Sequence, residues 1–175
     1  MMARKKSEVQ FYFDADILGL AKVICPLPGD PGAVIHNRVR PKCIVPEPRW
    51  KDRQWIPLVA KQHWIAITRD SNILDHLSLL QLIQDHGLRL VALTGTDGAT
   101  KWGQLEIVMS QWRHITGLIA IPGPALFTCT RTSFRRVDLK RRLDEVRRTA
   151  SENPNHPEAS KPKRRPPTRQ QERLF

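Results

Sequence analysis

Apolar residues in the first three quarters of the chain form two kinds of pattern. Residues 9–14 are a short run rich in β-branched and aromatic side chains, which predicts a buried strand. Over residues 16–24 the apolar side chains recur every three or four positions, which predicts one face of a helix. A strand followed directly by a helix is therefore the first predicted unit.

The same alternation continues along the chain. Further strands are predicted at residues 33–36, 64–68, 88–93 and 118–121, with 125–131 as a sixth candidate. Further helices are predicted from near Ile56, where Pro57 fits a first turn, and over residues 72–86, 101–115 and 137–148, with Gly87 as a C-cap. This order predicts a three-layer α/β/α fold with a mainly parallel central sheet of about five strands.

The helix predicted at residues 101–115 carries a continuous apolar stripe. Its members are Trp102, Leu105, Met109 or Val108, Trp112 and Ile115. A stripe at this spacing is typical of the face that a helix packs onto the core of a domain. We therefore expect these side chains to be buried.

Composition divides the chain into three parts. Residues 8–131 are predicted to form the folded domain, residues 132–149 a basic amphipathic helix, and the proline-rich residues 150–175 a disordered tail. The net charge is +12, and residues 131–175 carry fourteen Lys or Arg against six acidic residues. Such a surface attracts polyanions, of which nucleic acid is the commonest, although basic tails also serve only to keep a chain soluble.

Several classes of site and location are not indicated. Cys25, Cys43 and Cys129 are far apart and form no CxxC pair, so we expect buried thiols rather than a disulfide framework or a cysteine zinc site. The histidines show no metal-binding spacing, and no glycine-rich nucleotide loop is present. No apolar run suits an export signal or a membrane helix, which predicts a cytoplasmic protein with no membrane partner.

Three aspartates stand where a ligand site is expected. Asp14 and Asp70 each follow a predicted strand, and Asp52 opens the stretch that leads into the next helix. The carboxyl ends of parallel strands meet at one edge of a sheet, where ligand crevices form. Carboxylates gathered there repel one another without a cation, and Mg²⁺ prefers oxygen ligands. Each aspartate also has a structural interpretation as a helix cap, and both interpretations stay open.

These residues resemble a known family. Phe13-Asp14 at a strand end, Asp52 as the start of an Asp-x-x-Trp segment, and the run Ile-Ala-Ile-Thr-Arg-Asp at residues 65–70 are similar to the PIN-like nuclease domains, in which a strand ends in an Ile-Thr-x-Asp signature. The resemblance covers roughly residues 8–125. It is greatest to small bacterial PIN-like proteins, some of which are toxins of type II toxin-antitoxin pairs, and it implies a PIN-like fold.

The resemblance also implies a metal-dependent ribonuclease. Asp14, Asp52 and Asp70 would bind Mg²⁺ or Mn²⁺, which activates water for the cleavage of RNA. Family members often have a further acid where this chain has Asn72. The residues expected to support the three ligands are Asp16, Thr68, Asn72, Asp75 and Asp97, and those expected to contact phosphates are Arg69 and Lys51. The implied partners are RNA, a cognate antitoxin protein and a second copy of the chain.

Three alternatives stay open beside the ribonuclease. A degenerate PIN-like module would bind RNA or a partner protein without cutting. Asp14-Ala15-Asp16 is also similar to the DxD motif of haloacid dehalogenase-like phosphatases, whose first acid is the nucleophile, but Leu18 stands where that motif has Thr or Val. A phosphoacceptor receiver domain requires a lysine after its fifth strand, and residues 121–124 contain none.

Overall fold

The sheet is mainly parallel, as the sequence predicts. The computed structural model describes residues 11–24, 33–35 and 51–152. Its six strands are β1 (Phe11–Phe13), β2 (Ala33–Ile35), β3 (Ile65–Thr68), β4 (Arg89–Leu93), β5 (Ala125–Cys129) and β6 (Phe134–Val137). Their order across the sheet is β2-β1-β3-β4-β5-β6, and every neighbouring pair is parallel except β5 and β6.

Helices and short 3-10 turns connect the strands within the described ranges. The helices are α1 (Leu18–Ile24), α2 (Asp52–Lys61), α3 (Leu77–His86), α4 (Lys101–Gly117) and α5 (Leu139–Glu152). The 3-10 turns are Ala15–Ile17, Ser71–Leu74, Thr96–Ala99 and Leu118–Ala120. None of the helices in this part of the chain is both long enough and apolar enough to cross a membrane.

The helices cover both faces of the sheet. Tyr12 lies in a core with residues of α2, α3 and α5, whereas Phe11 and Phe13 lie in a second core with residues of α1 and α4. Successive residues of a strand point to opposite faces. A strand that is buried on both faces is therefore apolar throughout, as β1 is. The predicted three-layer α/β/α architecture is confirmed.

The strand predicted at residues 118–121 is wrong, because this segment forms a 3-10 turn and β5 lies beside β4 in its place. The guanidinium of Arg89 stabilises the turn. Its Nη1 donates to the carbonyl oxygen of Leu118 at 2.9 Å and to that of Ile119 at 3.1 Å. These carbonyls bind a side chain and do not take part in a strand ladder.

Two predicted helices have different boundaries in the structure. α2 begins at Asp52 and not near Ile56, so Pro57 lies inside the helix and not in its first turn. The helix predicted at residues 72–86 is divided into the Ser71–Leu74 turn and α3. α3 ends as predicted, because Gly87 takes the left-handed conformation with φ of 69° that a C-cap requires.

Residues 132–149, predicted as a basic helix outside the main domain, belong to it. Their first part forms β6, an edge strand that the sequence analysis missed, and the ring of Phe134 stacks on Phe127 with 5.0 Å between centroids. α5 follows and buries Leu143 and Val146 in the same core as α3. The sheet edge and the last helix therefore complete the layers of the domain.

Some sequence predictions lie outside the described residues. These are the disordered tail from residue 153 onward and the buried thiols of Cys25 and Cys43. Cys129 is buried as expected. Burial raises the pKa of its thiol to about 12, so the thiol stays protonated and unreactive.

The apolar stripe predicted for the fourth helix is only partly buried. Trp102 is 70% exposed and Met109 is 57% exposed. The buried residues of α4 are Gly103, Gln104, Ile107, Val108, Gln111 and Ile115. Gln104 is buried with its amide satisfied, because its Nε2 donates to the carbonyl of Gly98 at 2.9 Å. Polar residues thus occupy part of the inner face, and Trp102 faces solvent.

Candidate functional site

The carboxyl ends of β1 and β3 lie side by side. The two strands are parallel neighbours with Phe13 opposite Ile67, and the backbone N–H of Asp14 donates to the carbonyl of Ile67 at 3.0 Å. Asp14 directly follows β1, and Asp70 follows β3 after one residue. We call this region the aspartate edge; its acidic residues are Asp14, Asp16, Asp52 and Asp70.

Asp14 is the most buried acid of the aspartate edge, with 9% of its surface exposed. Its Oδ1 accepts the N–H of Ala15 at 2.6 Å, and its Oδ2 accepts the hydroxyl of Thr68 at 3.0 Å. Burial raises the pKa of Asp14 to about 6, and the negative charge of Asp16 acts in the same direction. The two hydrogen bonds favour the ionised form but do not outweigh burial.

Thr68 connects two of the aspartates. It is fully buried, its hydroxyl donates to Asp14, and the same oxygen accepts the backbone N–H of Asp70 at 3.0 Å. A hydroxyl has one donor and two acceptor sites, so both contacts are satisfied together. The resemblance implies that Thr68 supports the metal ligands. In the structure Thr68 contacts both Asp14 and Asp70 directly.

Asp16 lies in the Ala15–Ile17 turn and faces the residue after β3. Its Oδ2 accepts the backbone N–H of Arg69 at 3.1 Å and lies 3.9 Å from the Nε of the same residue. Burial raises the pKa of Asp16, and the charges of Asp70 and Asp52 add to the rise against the opposing effect of Arg69. Asp16 is thus part of the same electrostatic cluster, although sequence analysis gave it only a supporting place.

Asp52 is the first residue of α2, and Lys51 occupies the N-cap position. The capping interpretation of Asp52 is therefore wrong. Its Oδ1 accepts the indole N–H of Trp55 at 3.0 Å. Burial raises its pKa, and the charge of Asp70 acts in the same direction, whereas His76 opposes the rise. The carboxyl of Asp52, at the start of α2, is therefore close enough to Asp70 for the two charges to interact.

Asp70 has the capping role that its position predicts. Its Oδ1 accepts the N–H of Asn72 at 2.9 Å at the start of the Ser71–Leu74 turn. Asn72 is exposed and contributes its backbone to this contact. The capping bond uses one carboxylate oxygen of Asp70, so it does not exclude a ligand at the other.

Two of the expected supporting acids are not part of the cluster. Asp75 is exposed and forms an ion pair with Arg142 of α5. Asp97 is exposed in the Thr96–Ala99 turn after β4. Neither is among the causes that raise the pKa of Asp14, Asp16 or Asp52, so neither takes the place of the further acid expected at position 72.

The donor set is suited to a hard cation, but its members are not gathered at coordination distance. Within residues 11–24, 33–35 and 51–152, no three His, Cys, Asp or Glu side chains are close enough together to hold a metal ion. The negative charges of Asp16, Asp52 and Asp70 nevertheless each raise the pKa of at least one neighbouring aspartate of the edge. Mg²⁺ is commonly held by one or two carboxylates, with water and substrate phosphates as its other ligands. The residues fit a cation of that kind.

Basic residues border the aspartate edge. Arg69 is exposed, and besides its contact with Asp16 its Nη1 lies 3.5 Å from the carbonyl oxygen of Ala99. Lys51 is exposed at the start of α2. Lys101 was missed by the sequence analysis: a Cβ built on Gly19 would lie 3.5 Å from its Cδ. The sequence could have indicated Lys101, because it is the first residue of the helix that follows the fourth strand.

No protein-family model matches this chain, and neither the curated proteins nor the solved structures contain a match to it. The similarity to the PIN-like domains therefore rests on the residues themselves. Those residues are the strand-end aspartates, the Asp52 segment and the run at residues 65–70.

Proposed function

We propose that this chain is a PIN-like ribonuclease that depends on Mg²⁺ or Mn²⁺ and acts in the cytoplasm as the toxin of a type II toxin-antitoxin pair. The observation that carries the nuclease proposal is the aspartate edge, where four acids from three segments lie close enough that burial and neighbouring negative charge raise the pKa of Asp14, Asp16 and Asp52. Such an arrangement is unfavourable without a counter-charge. The toxin assignment rests on the resemblance of the strand-end motifs.

Each residue of the edge has a distinct part in this proposal. Asp14, Asp52 and Asp70 hold the cation, and Asp16 adds negative charge beside them. Thr68 fixes the carboxylate of Asp14 through its hydroxyl. When bound, Mg²⁺ lowers the pKa of a coordinated water and stabilises the charge of the scissile phosphate. Arg69 and Lys51 bind the flanking phosphates, for which their exposed cationic groups are suited.

The ionisation of Asp14 sets the pH range of activity. Its pKa of about 6 means that the carboxylate is largely protonated at pH 5 and ionised at pH 7.5. A metal ligand must be ionised. We therefore expect metal-dependent cleavage to rise with pH through this range.

Charge suggests two of the proposed partners. Exposed cations on β6 and α5 form a basic surface on the same domain; they are Arg135, Arg136, Lys140, Arg141, Arg147 and Arg148. We propose that this surface extends the path of RNA or binds an acidic antitoxin. A second copy of the chain is the third proposed partner.

The test replaces the two strand-end acids. Asp14→Asn and Asp70→Asn are expected to abolish Mg²⁺-dependent cleavage of RNA and growth arrest on expression, because each removes a proposed ligand. Asp85→Asn, an exposed acid of α3, is the matched control and should behave as wild type. Cleavage and growth arrest at wild-type levels in both edge variants would reject the proposal.

One observation favours a second candidate. No described group of three metal-ligating side chains is assembled, as expected for a degenerate PIN-like module that binds RNA or a protein without cutting. Such a module would bind RNA equally well with Mg²⁺ or with EDTA. It would also show no cleavage at any pH.

A further inference from the structure

Trp102 presents a large aromatic surface to solvent in the first turn of α4. It is 70% exposed, the highest fraction among the exposed large apolar side chains described. Its indole N–H donates to Oε1 of Glu106, one turn further along, at 3.2 Å. This bond restrains the ring against the helix and leaves ring surface uncovered. An aromatic ring held in this way is a candidate contact surface.

The start of α4 is fixed firmly beneath this ring. Thr100 caps the helix, because its Oγ1 accepts the N–H of Gly103 at 3.0 Å. A Cβ at Gly103 would lie 1.8 Å from the carbonyl oxygen of Asp97, so only glycine permits so close an approach to the Thr96–Ala99 turn. Trp102 is therefore presented from a rigid base, which lowers the entropy lost on binding.

The first turn of α4 and the segments that contact it carry three cationic side chains, and one of these contacts leads to the aspartate edge. The stem of Lys101 lies against Gly19, three residues after Asp16. Arg69 reaches the carbonyl of Ala99, just before α4, at 3.5 Å. On the other side, Nη1 of Arg131 lies 3.8 Å from Oε2 of Glu106, the residue that binds the indole. Three cations therefore belong to segments in contact with the start of α4 or with the residue that binds the indole.

We propose that Trp102 stacks on an unpaired base of a single-stranded nucleic acid whose phosphates are bound by Lys101, Arg69 and Arg131. The proposal rests on the proposed function, because it places this strand next to the aspartates that would cut it. Aromatic rings between cationic groups are the usual means of binding single strands, since every base has a π-face and every linkage a charge. Bases inside a duplex are not available for such stacking.

A protein partner would cover more of α4 than a stacked base does. Met109 lies seven residues after Trp102 and is also exposed, and residues seven apart share one helix face. A partner protein or a second copy of the chain covering this face would bury both side chains. A base stacked on the ring at the start of the helix does not require Met109, so the two residues separate the possibilities.

The test measures binding of a labelled single-stranded RNA of about 10 nucleotides by fluorescence anisotropy in EDTA, where metal-dependent cleavage is excluded. We expect Trp102→Ala to weaken the Kd about 5- to 150-fold and Trp102→Phe to retain most of the affinity. Met109→Ala is the matched control and should bind as wild type. The corresponding RNA duplex should bind wild type more weakly, with little effect of Trp102→Ala.

Several outcomes would overturn the proposal: no binding by wild type, equal affinity of Trp102→Ala and wild type, or an equal loss in Met109→Ala. A change in molar mass by light scattering in the Trp102 variant would show a protein interface instead. The failure of the proposed function is separate, because Asp14→Asn and Asp70→Asn test cleavage with Mg²⁺. If binding in EDTA depends on Trp102 but wild type never cuts, the ribonuclease is rejected and the stacking contact stands.

Discussion

The aspartate edge and helix α5 are both rich in charge, yet their charges behave in opposite ways. On α5, Glu145 accepts hydrogen bonds from Arg141 and Arg142, and these bonds hold the pKa of its carboxyl below the usual range. At the aspartate edge, burial and neighbouring acids raise the pKa of Asp14 to about 6. Glu145 is thus paired with cations of its own helix, whereas Asp14 is buried beside other acids.

The two carboxyl groups thus differ in the direction of their pKa shift and in their partners. Exposed pairs such as Arg147 with Asp144 contribute little to stability. In the described part of the chain, Asp14 has hydrogen-bond donors but no cationic group at ion-pair distance. Perturbed groups of this kind are concentrated at functional sites. The comparison is consistent with the proposal that the edge binds a ligand and that α5 contacts solvent or a partner.

The strongest test of the comparison is to remove the charge of Asp14. Its pKa is raised from 3.8 to about 6 on folding, so stability present below pH 3.8 is lost as pH rises through 6, by ~3 kcal/mol at most. Without added metal, we expect Asp14→Asn to exceed wild type in unfolding free energy by ~2 kcal/mol at pH 7.5. The difference should nearly vanish at pH 4, as measured by urea denaturation.

Asp97→Asn is the control for this measurement, because Asp97 is exposed in the Thr96–Ala99 turn and should leave stability unchanged at both pH values. If Asp14→Asn is instead less stable than wild type at pH 7.5, then the hydrogen bonds of Asp14 outweigh the cost of its burial and its repulsion. The contrast with α5 would then be lost.

Adding a cation should relieve the repulsion at the edge and leave α5 unaffected. A ligand at ten times its Kd stabilises the folded state by ~1.4 kcal/mol. We expect Mg²⁺ to raise the Tm of wild type at pH 7.5, to raise it less at pH 5.5, where Asp14 is mostly protonated, and to have no effect on Asp14→Asn. Thermal unfolding against NaCl of equal ionic strength measures this. An equal rise in the variant would place the cation elsewhere.

One side chain joins the two regions. Arg142 of α5 donates from Nε to the carbonyl of Leu74 at 2.9 Å and pairs with Asp75, at the end of the turn that Asp70 caps. We expect Arg142→Ala to destabilise the protein by ~1 kcal/mol and to speed amide exchange at Asn72. Arg147→Ala removes only an exposed pair and should change neither. Unchanged exchange in Arg142→Ala would show that α5 does not support the edge.

Much of the fold was predictable because the buried strands are continuous apolar runs between turn signals. β1, β3 and β4 and the helices after them follow from that pattern. The strand predicted at 118–121 failed because a guanidinium, that of Arg89, binds its carbonyls, and such a long-range contact leaves no local signal. β6 was missed because Arg135 and Arg136 stand in the middle of an exposed edge strand, where charge is favoured.

The site was predictable in position but not in detail. The placement of Asp14 and Asp70 follows from the rule for parallel strand ends, which depends only on topology. Gln104 is buried on the inner face of α4, and Trp102 therefore points outward. The burial of Gln104 depends on its hydrogen bond to the carbonyl of Gly98, which the spacing of apolar residues does not predict. Asp75 forms an ion pair with Arg142 and does not join the cluster. This contact also joins residues that are far apart in sequence. Which acids form the cluster therefore required the structure.

The smallest expected effect lies on α5 itself. Because the pKa of Glu145 is lowered on folding, the stability it contributes is present at neutral pH and is lost as pH falls through that pKa, the reverse of Asp14. We expect Glu145→Gln to lower the Tm slightly at pH 7 in low salt, and the decrease to disappear in high salt, which screens exposed pairs. The Asp14→Asn difference should persist in high salt, because its main cause is burial. If the stability differences of Glu145→Gln and Asp14→Asn respond to salt alike, then salt screens the charges of the aspartate edge as it screens those of an exposed surface. The aspartates would then need no bound cation.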